Sequence, residues 1–381
     1  MQQVLGKLHN DLHSIGITDT KLAKMWGTSS SRVTDAFQSG KIRFAHLATA
    51  MNIVYDSNKQ ENIIEQYLNQ PKQEYIRELL EYASLQGDFQ LIEKVINKKI
   101  LNNKKIEKHI VDKEALEIYD LIQQNYTGKL EQKDFFKRLR KKYIKAGSLE
   151  MSILTEILLC RLWYRSGQHD LVEAQLEDIG ESIKGVKNRF FCKTLNVRYK
   201  EALGVISLRQ GDVYRTRKLC KEIIDISEED SFLVIPKAIA YFKLGESFGF
   251  SSYPKMKKYL KIALDILKEF DAPGIIETRN MIYNTLAFFQ IFHWKDIDEI
   301  EIERLHLAEL AFLKIKQGEL EEAERILKSL ERKNGRLSDI QLYYMALLRS
   351  DKNIARLALE MSNVIGNTFY SYAPMKYLGL V

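Results

Sequence analysis

TDTKLAKMWGTSSSRVTDAFQSG, residues 18–40, holds two short helices and the corner between them. Thr18 is a good N-cap because its hydroxyl can accept from an unpaired backbone N–H one turn on. Leu22, Ala23 and Trp26 then give an apolar face at i, i+1, i+4. Gly27 and Thr28 end that helix after two turns, and glycine readily takes the left-handed conformation a tight corner needs. Ser29 is the next N-cap, with Val33, Ala36 and Phe37 as the inward face and Gly40 as the stop. The small Ala23 lets the two helices approach. This spacing predicts a helix-turn-helix, whose second helix enters a DNA major groove. The expected DNA contacts are Thr28, Ser29, Ser30, Ser31, Arg32, Thr34, Asp35, Gln38 and Lys41. Two helices of an ordinary all-α domain would give the same apolar pattern, so that alternative stays open.

The rest of the chain is built from helices too. Five prolines in 381 residues and long runs without glycine leave little to interrupt them. A hydrophobic share of 45% against 29% charged describes a soluble globular protein, and the net charge of +7 suits an acidic partner without requiring one. Cys160, Cys192 and Cys220 are odd in number and scattered, which implies a reducing compartment and buried thiols rather than disulfides. MQQVLGKLHND at the start has no long apolar core, and Leu286–Trp294 is too short to cross a bilayer. A cytoplasmic protein away from membranes is expected.

Leu5, Leu8, Leu12 and Ile15 share a face and predict a first helix over Val4–Ile15, while Phe44–Val54 predicts a fourth that closes a small core. Polar Asp56–Glu61 (DSNKQE) marks a boundary, so 1–56 is expected to be the DNA-binding domain and 57–74 a helical linker. From Tyr75 one phrase returns: an apolar helix, a small-residue turn, a second apolar helix. Its clearest copies are LAFLKIKQGELEEAERILKSL (Leu310–Leu330) and LGVISLRQGDVYRTRKLCKEI (Leu203–Ile223), with a third over Tyr241–Leu267. Turns fall at Gly87, Gly128, Gly167, Gly211, Ser252, Gly318 and near Asp351, with one further pair expected around Asn284–Trp294. This is the pattern of a tetratricopeptide-like helical solenoid over 75–359, followed by a capping or dimerising segment, 360–381. The fold class read here is all-α: helix-turn-helix, then solenoid. The tail NTFYSYAPMKYLGLV (Asn367–Val381) is more apolar than a free end should be, and pairing with a second copy competes with capping its own solenoid.

No phosphate-binding loop, dinucleotide fingerprint, zinc-protease motif or serine-hydrolase elbow occurs, so no enzyme and no cofactor are expected. His9 and His13 stand at i, i+4, a spacing that can hold a metal, but no third ligand is evident beside them and no metal site is expected. KRLRKKYIK (Lys137–Lys145) reads as a solvated basic face before it reads as a phosphate contact. Asn196, Lys200, Lys237, Tyr241, Asn280, Asn284 and Glu303 sit near the starts of successive first helices. Lining a groove, the Asn side chains would hold peptide backbone by donating and accepting at once, Lys237 a terminal carboxylate and Glu303 a peptide Arg.

A helix-turn-helix followed by degenerate tetratricopeptide-like pairs resembles the peptide-pheromone receptors of Gram-positive bacteria and their phages. Within that group the chain is most similar to the arbitrium receptors (AimR) of Bacillus phages, through TDTKLAKMWGTSSSRVTDAFQSG, LGESFGFSSYPKMKKYLKIAL at Leu244–Leu264 and the short tail. The resemblance implies a homodimeric transcription factor of phage lysis–lysogeny decisions, bound to a palindromic operator and inhibited by a secreted hexapeptide ending near Arg-Gly-Ala. It places Ser29–Gln38 as the recognition helix. Two other readings stay open: a receptor that acts on a protein partner, of the phosphatase-inhibitor type, and a general repeat scaffold.

Overall fold

The structure, a computed structural model, describes residues 1–69, 75–101, 110–144, 147–165 and 169–381. Among these residues it is helical throughout, without strands. α1 (Gln2–Ser14), α2 (Asp19–Trp26), α3 (Ser30–Ser39) and α4 (Phe44–Val54) form the N-terminal bundle. Both expected caps form: Thr18 accepts from the Lys21 N–H and Ser29 from the Arg32 N–H, while Gly27 and Gly40 end their helices with positive φ. Leu5, Leu8, Leu12, Leu22, Val33, Phe37, Phe44 and Leu47 are buried together. Ile15, expected on the inner face, is the C-cap of α1 and is exposed instead, because the chain has already left the helix there.

α5 (Ser57–Leu68) is capped by the Asp56 side chain and buries Ile63, Ile64, Tyr67 and Leu68, with Tyr67 edge-on to Phe44. The segment expected to be a linker is therefore packed along its apolar face. Paired helices follow: α6 (Ile76–Gln86) with α7 (Phe89–Leu101), α8 (Ile110–Tyr126) with α9 (Gln132–Tyr143), α10 (Leu149–Arg165) with α11 (His169–Lys184), and α12 (Arg189–Arg209) with α13 (Val213–Glu229). Next come α14 (Val234–Glu246) with α15 (Tyr253–Leu267), the long single α16 (Pro273–His293), α17 (Leu307–Gln317) with α18 (Leu320–Asn334), and α19 (Asp339–Arg349) with α20 (Lys352–Val364). Gly87, Gly128, Gly211 and Gly318 all carry positive φ at the turns where the repeat pattern puts them. Gly167 lies outside the described residues.

The pair expected around Asn284–Trp294 is absent. α16 runs unbroken from Pro273 to His293, since nothing after Gly274 interrupts its apolar sequence, and two single-turn 3-10 helices at 297–299 and 302–304 stand where a second helix was expected. The acid-rich stretch DEIEIER offers no helical apolar stripe to bury. α21 (Tyr372–Leu378) closes the chain. The tail turns back on its own solenoid: the Phe369 N–H donates to the Arg209 carbonyl at 3.1 Å, and Phe369, Tyr370 and Tyr372 gather around Phe250.

Polar burial ties the early repeats together. The Arg198 guanidinium grips Glu81 with two 2.9 Å bonds and also donates to Ser84, while the Tyr119 hydroxyl donates to Glu81 at 2.7 Å. A buried pair held this completely specifies how α6, α8 and α12 fit, and removing one partner would strand the other charge. Burial pushes the Cys160 and Cys220 thiols up to about 12, so both behave as small apolar groups. No helix among the described residues is long and apolar enough to cross a membrane.

Candidate functional site

α3 presents one polar side. Val33 and Phe37 are buried, whereas Ser29, Ser30, Ser31, Arg32, Asp35, Gln38 and Lys41 are exposed and Thr28 is half-buried. Arg32 makes no side-chain bond among the described residues. Thr34 differs from the expectation that it faces outward. Its hydroxyl sits 2.5 Å from Asp19 Oδ2 and 3.1 Å from the Ser30 carbonyl, so it is committed inside the bundle. Burial raises the Asp19 pKa, but bonds from Thr34, His9 and His13 outweigh it and hold the carboxyl down at about 2. Asp19 is also the third ligand-type side chain beside His9 and His13 that the sequence did not reveal. The left-handed Gly16 turns the chain so that the start of α2 returns against α1.

The bundle is joined to the solenoid at Glu78, a buried carboxylate on α6. It accepts from the Arg43 guanidinium, from the Ala45 N–H at 2.9 Å and from Asn188 Nδ2 at 3.0 Å. Asn188 is the N-cap of α12. The next residue, Arg189, lays its guanidinium across Gly27, so close that a Cβ there would overlap it. The corner of the helix-turn-helix thus rests on the first residues of α12. Nearby, His46 stacks on Trp26 at 4.5 Å; burial, reinforced by Arg43, lowers its pKa to about 4.

The other end of α12 borders a cavity of about 800 Å³. First helices of successive pairs line it, together with α16 and the turned-back tail. Its polar lining is rich in carboxamides: Asn125, Asn280, Asn284, Gln341 and Asn367. Charges of both signs accompany them, with Arg161 paired to Glu201, and Lys243 bonded at 2.6 Å to Glu246, which also accepts from the Tyr370 hydroxyl at 2.7 Å. Burial, with Glu246 adding to it, raises the Tyr370 pKa far above its usual range, so this hydroxyl stays a donor.

Of the seven side chains expected to share one groove, Asn280 and Asn284 border this cavity. Asn280 is exposed to it, whereas the Asn284 amide is already used, donating to the Asn280 carbonyl and accepting from the His306 N–H at 2.7 Å. Asn196, Lys200, Lys237, Tyr241 and Glu303 are outside the lining. Lys200 pairs with Glu222 and Lys237 with Glu228, each at 2.8 Å; Tyr241 stacks on Tyr259; Glu303 is exposed on the second 3-10 turn. Helix phase explains the difference. On α12 the cavity side is Glu201, Val205 and Arg209, and Lys200 is one residue, or about 100°, away from it. The sequence does not single out Glu201 and Arg209, because α12 also carries Lys193, Asn196, Arg198 and Lys200. The basic run on α9 is mostly exposed, with Lys142 paired to Glu117; its last residue, Lys145, lies outside the described residues.

Comparison with known proteins agrees with this architecture. A solved structure of phAimR with its ligand superposes with a TM-score of 0.70 at 18% identity, covering 89% of this chain and 97% of that one. A selenomethionine phAimR structure gives 0.64 at 18% identity, covering 99% and 96%. At that identity the likeness concerns the fold. An uncharacterized Bacillus anthracis protein, pXO2-35, is 27% identical over 241 residues, 63% of this chain and 88% of that protein. The model of the family described as AimR transcriptional regulator-like matches residues 59–379. With a match over most of its length and the same helical build, the chain belongs to the AimR transcriptional regulator-like family.

Proposed function

We propose that this protein is a peptide-responsive DNA-binding regulator in which α12 carries the signal. In this reading 1–56 binds DNA, 57–74 connects, 75–359 holds the peptide, and 360–381 caps the solenoid and contributes to a homodimer. The observation that carries the proposal is the position of α12. Its 21 residues, about 30 Å of helix, touch the helix-turn-helix corner at one end and the carboxamide-rich cavity at the other. About 800 Å³ lies within the range of roughly 300–1,000 Å³ typical of ligand sites, which suits a short peptide. Carboxamides both donate and accept, as a peptide backbone demands, and the cations Arg161, Arg209 and Lys243 suit a peptide carboxylate. Glu277, an exposed carboxylate of the lining, suits the arginine of an Arg-Gly-Ala peptide.

Dimerisation follows from the size of the reader. One short recognition helix buries too little surface for tight specific binding, so pairing on a palindromic operator is the economical solution. A peptide that favours one solenoid shape tenfold shifts the balance by about 1.4 kcal/mol, and a tilt of α12 would be passed straight to Gly27 and Glu78. The role in phage lysis–lysogeny, in the cytoplasm of the host, comes with the family resemblance. Calorimetry with synthetic hexapeptides ending in Arg-Gly-Ala, followed by titration of operator DNA with and without peptide, tests the reading. Peptide binding that the Asn280→Ala variant weakens supports it; peptides that bind without altering DNA affinity count against it.

A further inference from the structure

The geometry points to a divalent-metal site of the zinc class, formed by His9, His13 and Asp19, that clamps the DNA-binding bundle. The three ligand atoms converge: His9 Nε2 is 2.6 Å and His13 Nε2 2.9 Å from Asp19 Oδ1, and the two Nε2 atoms are 3.2 Å apart. Tetrahedral zinc with bonds of about 2.0–2.1 Å needs ligand atoms roughly 3.3 Å from one another. The cluster is close to that size: its edges of 2.6, 2.9 and 3.2 Å would open by about 0.7, 0.4 and 0.1 Å. Two imidazoles and one carboxylate suit zinc, cobalt or nickel, whereas magnesium and calcium prefer oxygen ligands throughout.

The surroundings are those of a built ligand set. Both imidazoles aim Nε2 at one carboxylate oxygen, so a cation entering there would take the two Nε2 lone pairs, with each neutral ring carrying its proton on Nδ1. The other oxygen of Asp19 is fixed by the Thr34 hydroxyl at 2.5 Å, an outer bond of the kind that orients a metal-ligating carboxylate. The His9 ring is held flat against Phe37, centroids 4.4 Å apart. Half-exposed His13 leaves the fourth position open to water. Since His9 and His13 come from α1, Asp19 from α2, and Thr34 and Phe37 from α3, the ion would tie the recognition helix to the two helices behind it.

The test uses the full chain, freed of metal with a chelator and dialysed, then titrated with Zn²⁺ and separately with Co²⁺, whose visible absorption reports tetrahedral nitrogen–oxygen coordination. One equivalent per chain is expected, unaffected by millimolar Mg²⁺, with a higher melting temperature for the zinc form. His13→Ala, at an exposed position, should weaken Zn²⁺ binding at least tenfold and abolish the rise in melting temperature that zinc gives the parent; Asp19→Asn should weaken binding too. Absence of a stoichiometric zinc or cobalt site, or parent-like binding by His13→Ala, would overturn the assignment.

Discussion

Single side chains test both proposed recognition surfaces. Arg32 is exposed beside Val33 and Phe37, so Arg32→Ala should cost about 1–3 kcal/mol of operator affinity while leaving the fold intact, measured by fluorescence anisotropy. Asn280 is the cavity carboxamide of α16 that is exposed, and Asn280→Ala should weaken a bound peptide by about 1 kcal/mol, roughly fivefold, whatever its sequence. His46 brings a pH dependence. Its folded pKa of about 4 lies below the unfolded value of 6.5, so between these values the unfolded chain binds more protons. Stability is then complete above pH 6.5 and falls as pH drops toward 4, by about 3 kcal/mol from this group, with Arg43 opposing and Glu78 favouring its charge. His46→Phe should flatten that part of the denaturant-midpoint profile between pH 7 and pH 4.5. At this scale the caps Thr18 and Ser29 and the buried Val33 and Phe37 were legible because local hydrogen bonding and helical spacing determine them. The inward commitment of Thr34 was not, because Asp19 lies fifteen residues earlier and only the turn brings it near.

Among the elements, α12 joins the most distant parts of the chain. Its first residues support the helix-turn-helix corner, its middle is locked to α6 by Arg198 and Glu81, and its end reaches the cavity. Arg198→Met would leave Glu81 buried without its partner and should destabilise the chain by about 3–5 kcal/mol in urea unfolding. Asn188→Ala is milder: it removes one bond to Glu78 and an N-cap, costing about 1 kcal/mol. In the α12 account it should also loosen the link, so that peptide binds as before while its effect on DNA shrinks. Helix pairs were readable from their repeated turns, and Gly87, Gly128, Gly211 and Gly318 sit at those turns with positive φ. The cavity phase was harder to read. α12 carries polar residues on several sides, so periodicity does not say which side borders the cavity; Glu201 lines it and the neighbouring Lys200 does not. α16 misled for a related reason: its apolar run resembled a pair, but nothing in it breaks the helix.

Over the whole molecule, the solenoid is bounded by the helix-turn-helix bundle at its start and the turned-back tail at its end. Asn367 bonds Asp339 at 2.7 Å, and Phe369 packs beside Phe250, so the tail completes the chain's own cavity wall. Whether a second copy joins there was not readable from an apolar tail, because capping and pairing bury the same kinds of residue; Leu380 and Val381 remain exposed beyond the cap. The all-helical build and the family were legible through the N-terminal motif and the repeated pairs. The most direct measurement of the central claim, that cavity and reader communicate through α12, is operator affinity with and without saturating peptide in the parent and in Asn188→Ala. The account predicts that peptide changes the affinity of the parent at least tenfold and that of Asn188→Ala by much less, with equal peptide binding in both. An undiminished peptide response in Asn188→Ala would contradict it.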